Sequence, residues 1–314
     1  MSGLLDRRLL VVTGKGGVGK TSVAAALGLL AAQEGRRTLV CEVDAKGDLA
    51  NALEVGEVGF EPRPVQHRLW AMAMHTEESL QEYLRLQLHI PGASRVGPLA
   101  RILDFVATAA PGVREILTVG KLAYEVRERH YDLVVADASA SGHIVGQLTA
   151  PQAINDLVRV GAIRSQTGWV RDLLADAATT GVVVTTTPEE MPVRETIELI
   201  GRISAETPVE VAAVVVNRVL PELFSHAEEA LFEDLRRPPA YERLAAAVGP
   251  EVGDVLAAAR LAVTLRRRGA EHLEALRAEI DGAIDVAYVP YLFTRGQGLR
   301  TTSQLAEALG AELA

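Results

Sequence analysis

The stretch Leu9-Leu10-Val11-Val12-Thr13-Gly14-Lys15-Gly16-Gly17-Val18-Gly19-Lys20-Thr21-Ser22 decides the fold. Its first five residues form a short apolar run of the kind that makes a buried strand. The Ala- and Leu-rich run from Ser22 to Glu34 reads as a helix, ended by Gly35 where a C′ glycine belongs. Between them, Gly14 to Thr21 satisfies G-x-x-x-x-G-K-[ST] in the strand–loop–helix context that gives the pattern its meaning. Gly14, Gly16, Gly17 and Gly19 allow the backbone N–H groups of the loop, through Val18 and on to Ser22, to turn inward around a phosphate. The positive end of the following helix adds to that field. Lys20 is placed to reach β- and γ-phosphate oxygens, and the Thr21 hydroxyl to ligate Mg²⁺.

Working outward, Thr38 to Asp44 is a second strand, and Asp48 to Leu53 a short helix after it. Strand, helix and strand at this spacing make a βαβ unit, hence a parallel sheet with right-handed crossovers. Further strands are expected at Leu69–Met74, Tyr131–Asp137, Gly181–Thr186, Val211–Val216 and Asp285–Val289. Thr76 to His130, interrupted at Pro91-Gly92 and Pro111-Gly112, reads as about three helices, and Pro221 to Gly282 as a second helical block. No internal repeat and no Gly/Ser-rich linker divides the sequence. The expectation is one α/β domain over residues 1–314, a doubly wound, mainly parallel sheet with helical elaborations at about 76–130 and 221–282.

Hydrophobic residues make up 48% of the 314 positions and aromatics only 4%, a balance suited to helices stacked on a parallel sheet. The formal net charge of −9 argues against a nucleic-acid-binding surface as the main business. Arg266-Arg267-Arg268 reads as a solvated helix face. The single cysteine, Cys41, lies in an apolar run, so a buried small side chain is expected rather than a disulfide or metal ligand. No apolar run reaches the ~18 residues of a membrane span, and the first residues lack a signal peptide's apolar stretch. A cytoplasmic protein is the expectation.

Three acids and a histidine stand out. Glu42 and Asp44 end the second strand and, at period two, share one face beside the phosphate loop. Asp44 is the better candidate for polarising an attacking water and joins Thr21 and Asp137 as a candidate for the Mg²⁺ shell. Glu42 either holds a water of that shell or caps the next helix. Asp137 ends the strand Leu133 to Ala136, where a lone carboxylate meets Mg²⁺ directly or through water. His143, with Ser141 and Gly142 before it, is a candidate hydrogen-bonder of a switch loop or a surface side chain.

These residues carry a family resemblance. Lys15 in K-G-G-x-G-K-T resembles the deviant phosphate loop of MinD/ParA/ArsA-like ATPases, which implies that Lys15 crosses a dimer interface to the partner's ATP. Asp137-Ala138-Ser139-Ala140-Ser141-Gly142-His143 resembles the D-T-A-P-T-G-H switch of ArsA-type ATPases, a group that includes tail-anchored-protein targeting factors. Ser139 and Ala140 depart from that pattern, and no proline precedes Ser141-Gly142. Val214 to Arg218 resembles the strand whose Asn, here Asn217, reads adenine; an amide donates and accepts at once and matches the base edge, whereas a turn role is the plainer alternative. Val289-Pro290-Tyr291-Leu292-Phe293 resembles the segment lining the base pocket, which makes Pro290 and Tyr291 candidates there. Thr187 to Thr196 resembles the family's T-x-P-E-x-x-P-V-x-E-T stretch.

The resemblance spans nearly the whole chain and implies an ATP-hydrolysing switch that uses Mg-ATP as a homodimer or a heterodimer with a paralogue. Its client, a protein or small molecule, would sit on the helical blocks. The cysteine set of arsenite pumps, the C-x-x-C pairs of eukaryotic targeting factors and a Met-rich groove are absent, with only 4 methionines. A ParA/MinD-type positioning ATPase and a weakly active half of a heterodimer are the alternatives. The first needs a basic face, and Thr301 to Ala314 holds no Lys or Arg.

Overall fold

The computed structural model describes residues 3–44, 46–75, 77–82, 112–157, 162–249, 251–294, 296 and 298–313. The short apolar runs become strands β1 (Leu9–Gly14), β2 (Thr38–Glu42), β4 (Leu69–Ala73), β5 (Leu133–Asp137), β6 (Thr180–Thr186), β7 (Val211–Val219) and β8 (Asp285–Pro290). With β3 (Arg63–Gln66) they form one sheet in the order β3-β4-β2-β5-β1-β6-β7-β8. Every pairing is parallel except β3 with β4. The α/β class and the mainly parallel, doubly wound sheet are therefore as expected. The edge strand β3 was not. It is four residues long, largely exposed and carries Pro64, so neither length nor apolar periodicity marks it.

Strand alternation divides the core in two. Leu9, Val11, Val134 and Ala136 face one side, where α3 (Val113–Arg127), α4 (Ser141–Leu157), α5 (Ala162–Ala175), α6 (Glu190–Glu206) and the C-terminal part of α9 (Val252–Glu279) cover them. Leu10, Val12, Leu133 and Val135 face the other, against α1 (Lys20–Gln33), α2 (Asp48–Ala52) and α10 (Leu299–Leu313). α1 is buried nearly all round because the sheet lies under it and α10 runs along its outer side.

Of the expected helices in 76–130, residues 77–82 and α3 are seen, and 83–111 lie outside the described residues. The 221–282 block consists of α7 (His226–Leu235), α8 (Ala240–Val248) and α9. The chain leaves β1 to one side for β2 and β4 and later to the other for β6 to β8. The crevice above β1 is thus the switch point, where ligands of open α/β sheets bind.

Candidate active site

The phosphate loop fills that crevice. Gly14, Gly17 and Gly19 adopt φ of +146°, +88° and +95°, a region that side chains disfavour. Gly14 also passes so close to the Thr185 carbonyl that a Cβ would collide with it. Gly19 caps α1, so the first turn of that helix aims its N–H groups into the loop. A cavity of about 330 Å³ opens there. Gly16, Gly17, Gly19, Lys20, Thr21 and Ser22 line it, facing Glu42, Asp44, Asp48 and Asp137.

Lys20 bends back over the loop and donates to the Lys15 carbonyl at 3.2 Å. Burial lowers its pKa, against the pull of nearby Asp137. The Thr21 hydroxyl donates to Asp137 Oδ2 at 2.6 Å, while Asp137 Oδ1 is buried with no hydrogen-bond partner among the described residues. Burial pushes the Asp137 carboxyl up to about 6, although the Thr21 hydrogen bond and Lys20 both favour its charged form. An orphaned carboxylate oxygen beside a threonine hydroxyl and a phosphate cradle is a donor set that fits Mg²⁺ carried in with a nucleotide.

Glu42 is spent elsewhere. Its two oxygens accept from the N–H groups of Gly47 (3.1 Å), Asp48 (2.9 Å) and Leu49 (3.4 Å), so of its two readings the geometry is that of the cap on α2. Asp44 is freer. It accepts from the Ser139 hydroxyl at 3.0 Å and has Lys46 and Arg114 each at 3.8 Å, both mostly exposed. Lys15 points away from its own loop and pairs with Glu195 Oε1 of α6 at 2.5 Å. Ser141, Gly142 and His143 open α4, with Gly142 and His143 exposed and the His143 N–H bonded to the Ala140 carbonyl.

Asn217 reaches from β7 to the phosphate loop. The buried amide donates to the Val18 carbonyl at 2.9 Å and accepts from the Arg218 N–H at 2.9 Å, so both ends bond backbone. It anchors the phosphate loop to the end of β7 and explains why Gly19 has no room for a side chain. Pro290 and Tyr291 lie outside the cavity lining among the described residues; the Tyr291 N–H bonds the Val219 carbonyl and its ring rests on Phe293. The remaining wall comes from Lys46, Ala52, Ala138 and Ala140 and, later in the chain, from Arg218, which holds a left-handed φ of +61°, and Gly298, Thr301, Thr302 and Leu305. Sequence reasoning missed the later ones: α10 carries no motif, and only Arg218's place beside Asn217 hinted at it.

The sequence matches the anion-transporting ATPase family over residues 7–169 and 160–236. ATPase BagA of Mycobacterium tuberculosis is 30% identical over 97% of this chain and 93% of its own length. The ATPase GET3 of Podospora anserina is 28% identical over 56% of this chain and 54% of its own. A putative arsenical pump-driving ATPase of Halobacterium salinarum is 26% identical over 74% of this chain and 38% of its own. With a phosphate-loop crevice in the fold and matches of this extent, the chain belongs to the anion-transporting ATPase family and is an ATP-hydrolysing enzyme of it.

Proposed function

We propose that this ATPase is a Mg-ATP-driven dimeric switch whose nucleotide state sets its grip on a client carried by the helical blocks. The observation that supports it best is the placement of Lys15. Lys20 already serves the loop's own phosphates, whereas Lys15 is turned outward and held by Glu195, with both side chains about one-third exposed (32% and 33%). Such a partly exposed pair is worth ~0–1 kcal/mol, so releasing Lys15 to a partner's nucleotide costs little. A second cation at the phosphates would neutralise charge that develops during phosphoryl transfer.

In this reading Lys20 and the loop from Gly14 to Ser22 bind the phosphates, and Asp44 polarises the attacking water. Thr21 and Asp137 would hold Mg²⁺, which would supply positive charge to the phosphates. Asn217 steadies the loop beside the base, with Pro290 and Tyr291 flanking that end. Ser141 to His143 are the segment that responds to the γ-phosphate. None of the described helices is long and apolar enough to cross a membrane. The apolar face of α10 (Leu305, Ala306, Leu309) is buried against the core around α1, which disfavours its use as a membrane-binding helix in ParA/MinD-type positioning. The buried lone Cys41 suits a reducing compartment, and we place the switch in the cytoplasm.

Lys20→Ala is expected to abolish ATP binding. Asp44→Asn should keep ATP affinity but lose turnover by about 100-fold, the scale of removing one preorganised catalytic group. Light scattering should show ATP doubling the mass of the wild type and Asp44→Asn accumulating as the dimer. Wild-type turnover in Asp44→Asn removes the catalytic assignment. A mass that ATP leaves unchanged removes the homodimer, and doubling only with an added paralogue assigns the heterodimer.

A further inference from the structure

Ser139 occupies a position where this chain departs from the family's switch pattern, and the structure gives it a specific employment. Its Oγ lies 3.0 Å from Asp44 Oδ1 on one side and 3.0 Å from Gln147 Nε2 on the other. Both Ser139 and Gln147 are buried, at 4% and 9% exposure. The direction of this chain is fixed by chemistry. A carboxylate only accepts, so the serine proton goes to Asp44. The hydroxyl oxygen then has only acceptor capacity left, so Gln147 must present its NH₂. The main chain holds the serine as well: the Thr13 hydroxyl donates to the Ser139 carbonyl at 2.9 Å, tying it to the end of β1. Neighbouring Ala138 N–H bonds the Val12 carbonyl.

We propose that Gln147→Ser139→Asp44 is a relay in which Ser139 is a positioning residue for the water-polarising carboxylate. It holds Oδ1, leaving Oδ2 to the attacking water. Without it, Asp44 would be steered, among the described residues, by Lys46 and Arg114, mostly exposed cations at 3.8 Å that fix no hydrogen-bond geometry. The relay also couples the acid to α4, because Gln147 sits on that helix and Ser139 just before it. A movement of Ser141 to His143 would therefore re-aim Asp44. The inference rests on the reading of Asp44 given above.

The test uses Ser139→Ala, Ser139→Thr and Gln147→Leu in the full chain, with single-turnover hydrolysis at protein in excess of ATP. Ser139→Ala should slow hydrolysis about 10-fold with the Kd for ATP unchanged, and Gln147→Leu about 3-fold. Ser139→Thr, which keeps the hydroxyl, should restore the rate to within about twofold. The nucleotide-free protein supplies a second readout: in urea unfolding, Ser139→Ala and Asp44→Asn combined should destabilise by less than the sum of the single variants, because each removes the same bond. A Ser139→Ala rate within twofold of wild type, alongside a dead Asp44→Asn, overturns the relay and spares Asp44. A Ser139→Ala loss that Thr does not restore, or strict additivity in urea, also overturns it. Wild-type hydrolysis in Asp44→Asn would overturn the Asp44 reading and the relay together.

Discussion

Among single residues, Asp137 most sharply sets function against stability. Its carboxyl is buried, one oxygen has no partner among the described residues, and its pKa is raised from 3.8 to about 6. Between those two values the folded protein retains a proton that the unfolded chain has released. Stability of the nucleotide-free protein therefore falls as pH rises through that window, by about 3 kcal/mol from this group. Asp137→Asn is expected to remove that decline and to stabilise the nucleotide-free protein at pH 7 by about 1–3 kcal/mol, while Mg-ATP ceases to raise its Tm. Melts at pH 4.5 and pH 7, with and without Mg-ATP, check this; a lower nucleotide-free Tm at pH 7 would contradict it. Asp137, Lys20 and Thr21 are legible in the sequence because strand-end acid, loop and helix start are each local signals. The bonds made by Asn217 are not, because its partner Val18 lies 199 residues away and only the folded sheet brings them together. Glu42 and Asp44, two residues apart on one strand end, look alike until α2 claims the first.

The elements were read well where apolar runs are continuous and poorly where tertiary context decides. The parallel strands qualify as continuous runs; β3 is exposed, and α10, which carries no motif, reaches the cavity because Leu305 and Leu309 seat it in the core beside α1. The helical stretch before β5 shows another kind of context. Buried Lys121 of α3 donates to Glu125 at 2.7 Å and to Glu82 of the 77–82 helix at 2.8 Å, with the Phe60 ring 4.9 Å from its ammonium. His130 Nδ1 lies 2.7 Å from the second oxygen of Glu125. Burial acts to lower the Lys121 pKa, but the hydrogen bonds it donates to Glu125 and Glu82 outweigh it and raise it. The cluster staples residues 77–82 to α3 across the 83–111 stretch. Lys121→Met would leave two carboxylates without their cation, and it is expected to destabilise by about 3–5 kcal/mol in urea unfolding. Adding Glu125→Leu should recover part of that loss. A single variant costing under about 1 kcal/mol would mean that the network is solvated in solution.

At the scale of the whole molecule, the burial pattern separates what folds the chain from what remains on offer to a partner. Along the 28 residues of α9, only Gly269, Leu273 and Leu276 are buried, all in its C-terminal half, and the helix packs on α6. α8 buries none of its residues. Yet Leu231, Val248, Val255, Leu261 and Leu265 are apolar and exposed on α7 to α9. Side chains that stabilise nothing are expected to be dispensable to folding, so Leu261→Ser and Leu265→Ser should each shift unfolding free energy by no more than about 0.5 kcal/mol. Leu273→Ser, which inserts a hydroxyl into the packed half of the same helix, should cost about 2–4 kcal/mol. ATP affinity should be untouched in the first two, since α9 does not line the nucleotide cavity. Hydrogen exchange gives the same contrast without substitutions, with residues 252–268 exchanging well before 269–279. If the two halves exchanged alike, or if Leu261→Ser cost as much as Leu273→Ser, the N-terminal half of α9 would be packed in solution. Its apolar face would then belong to the fold and not to a client.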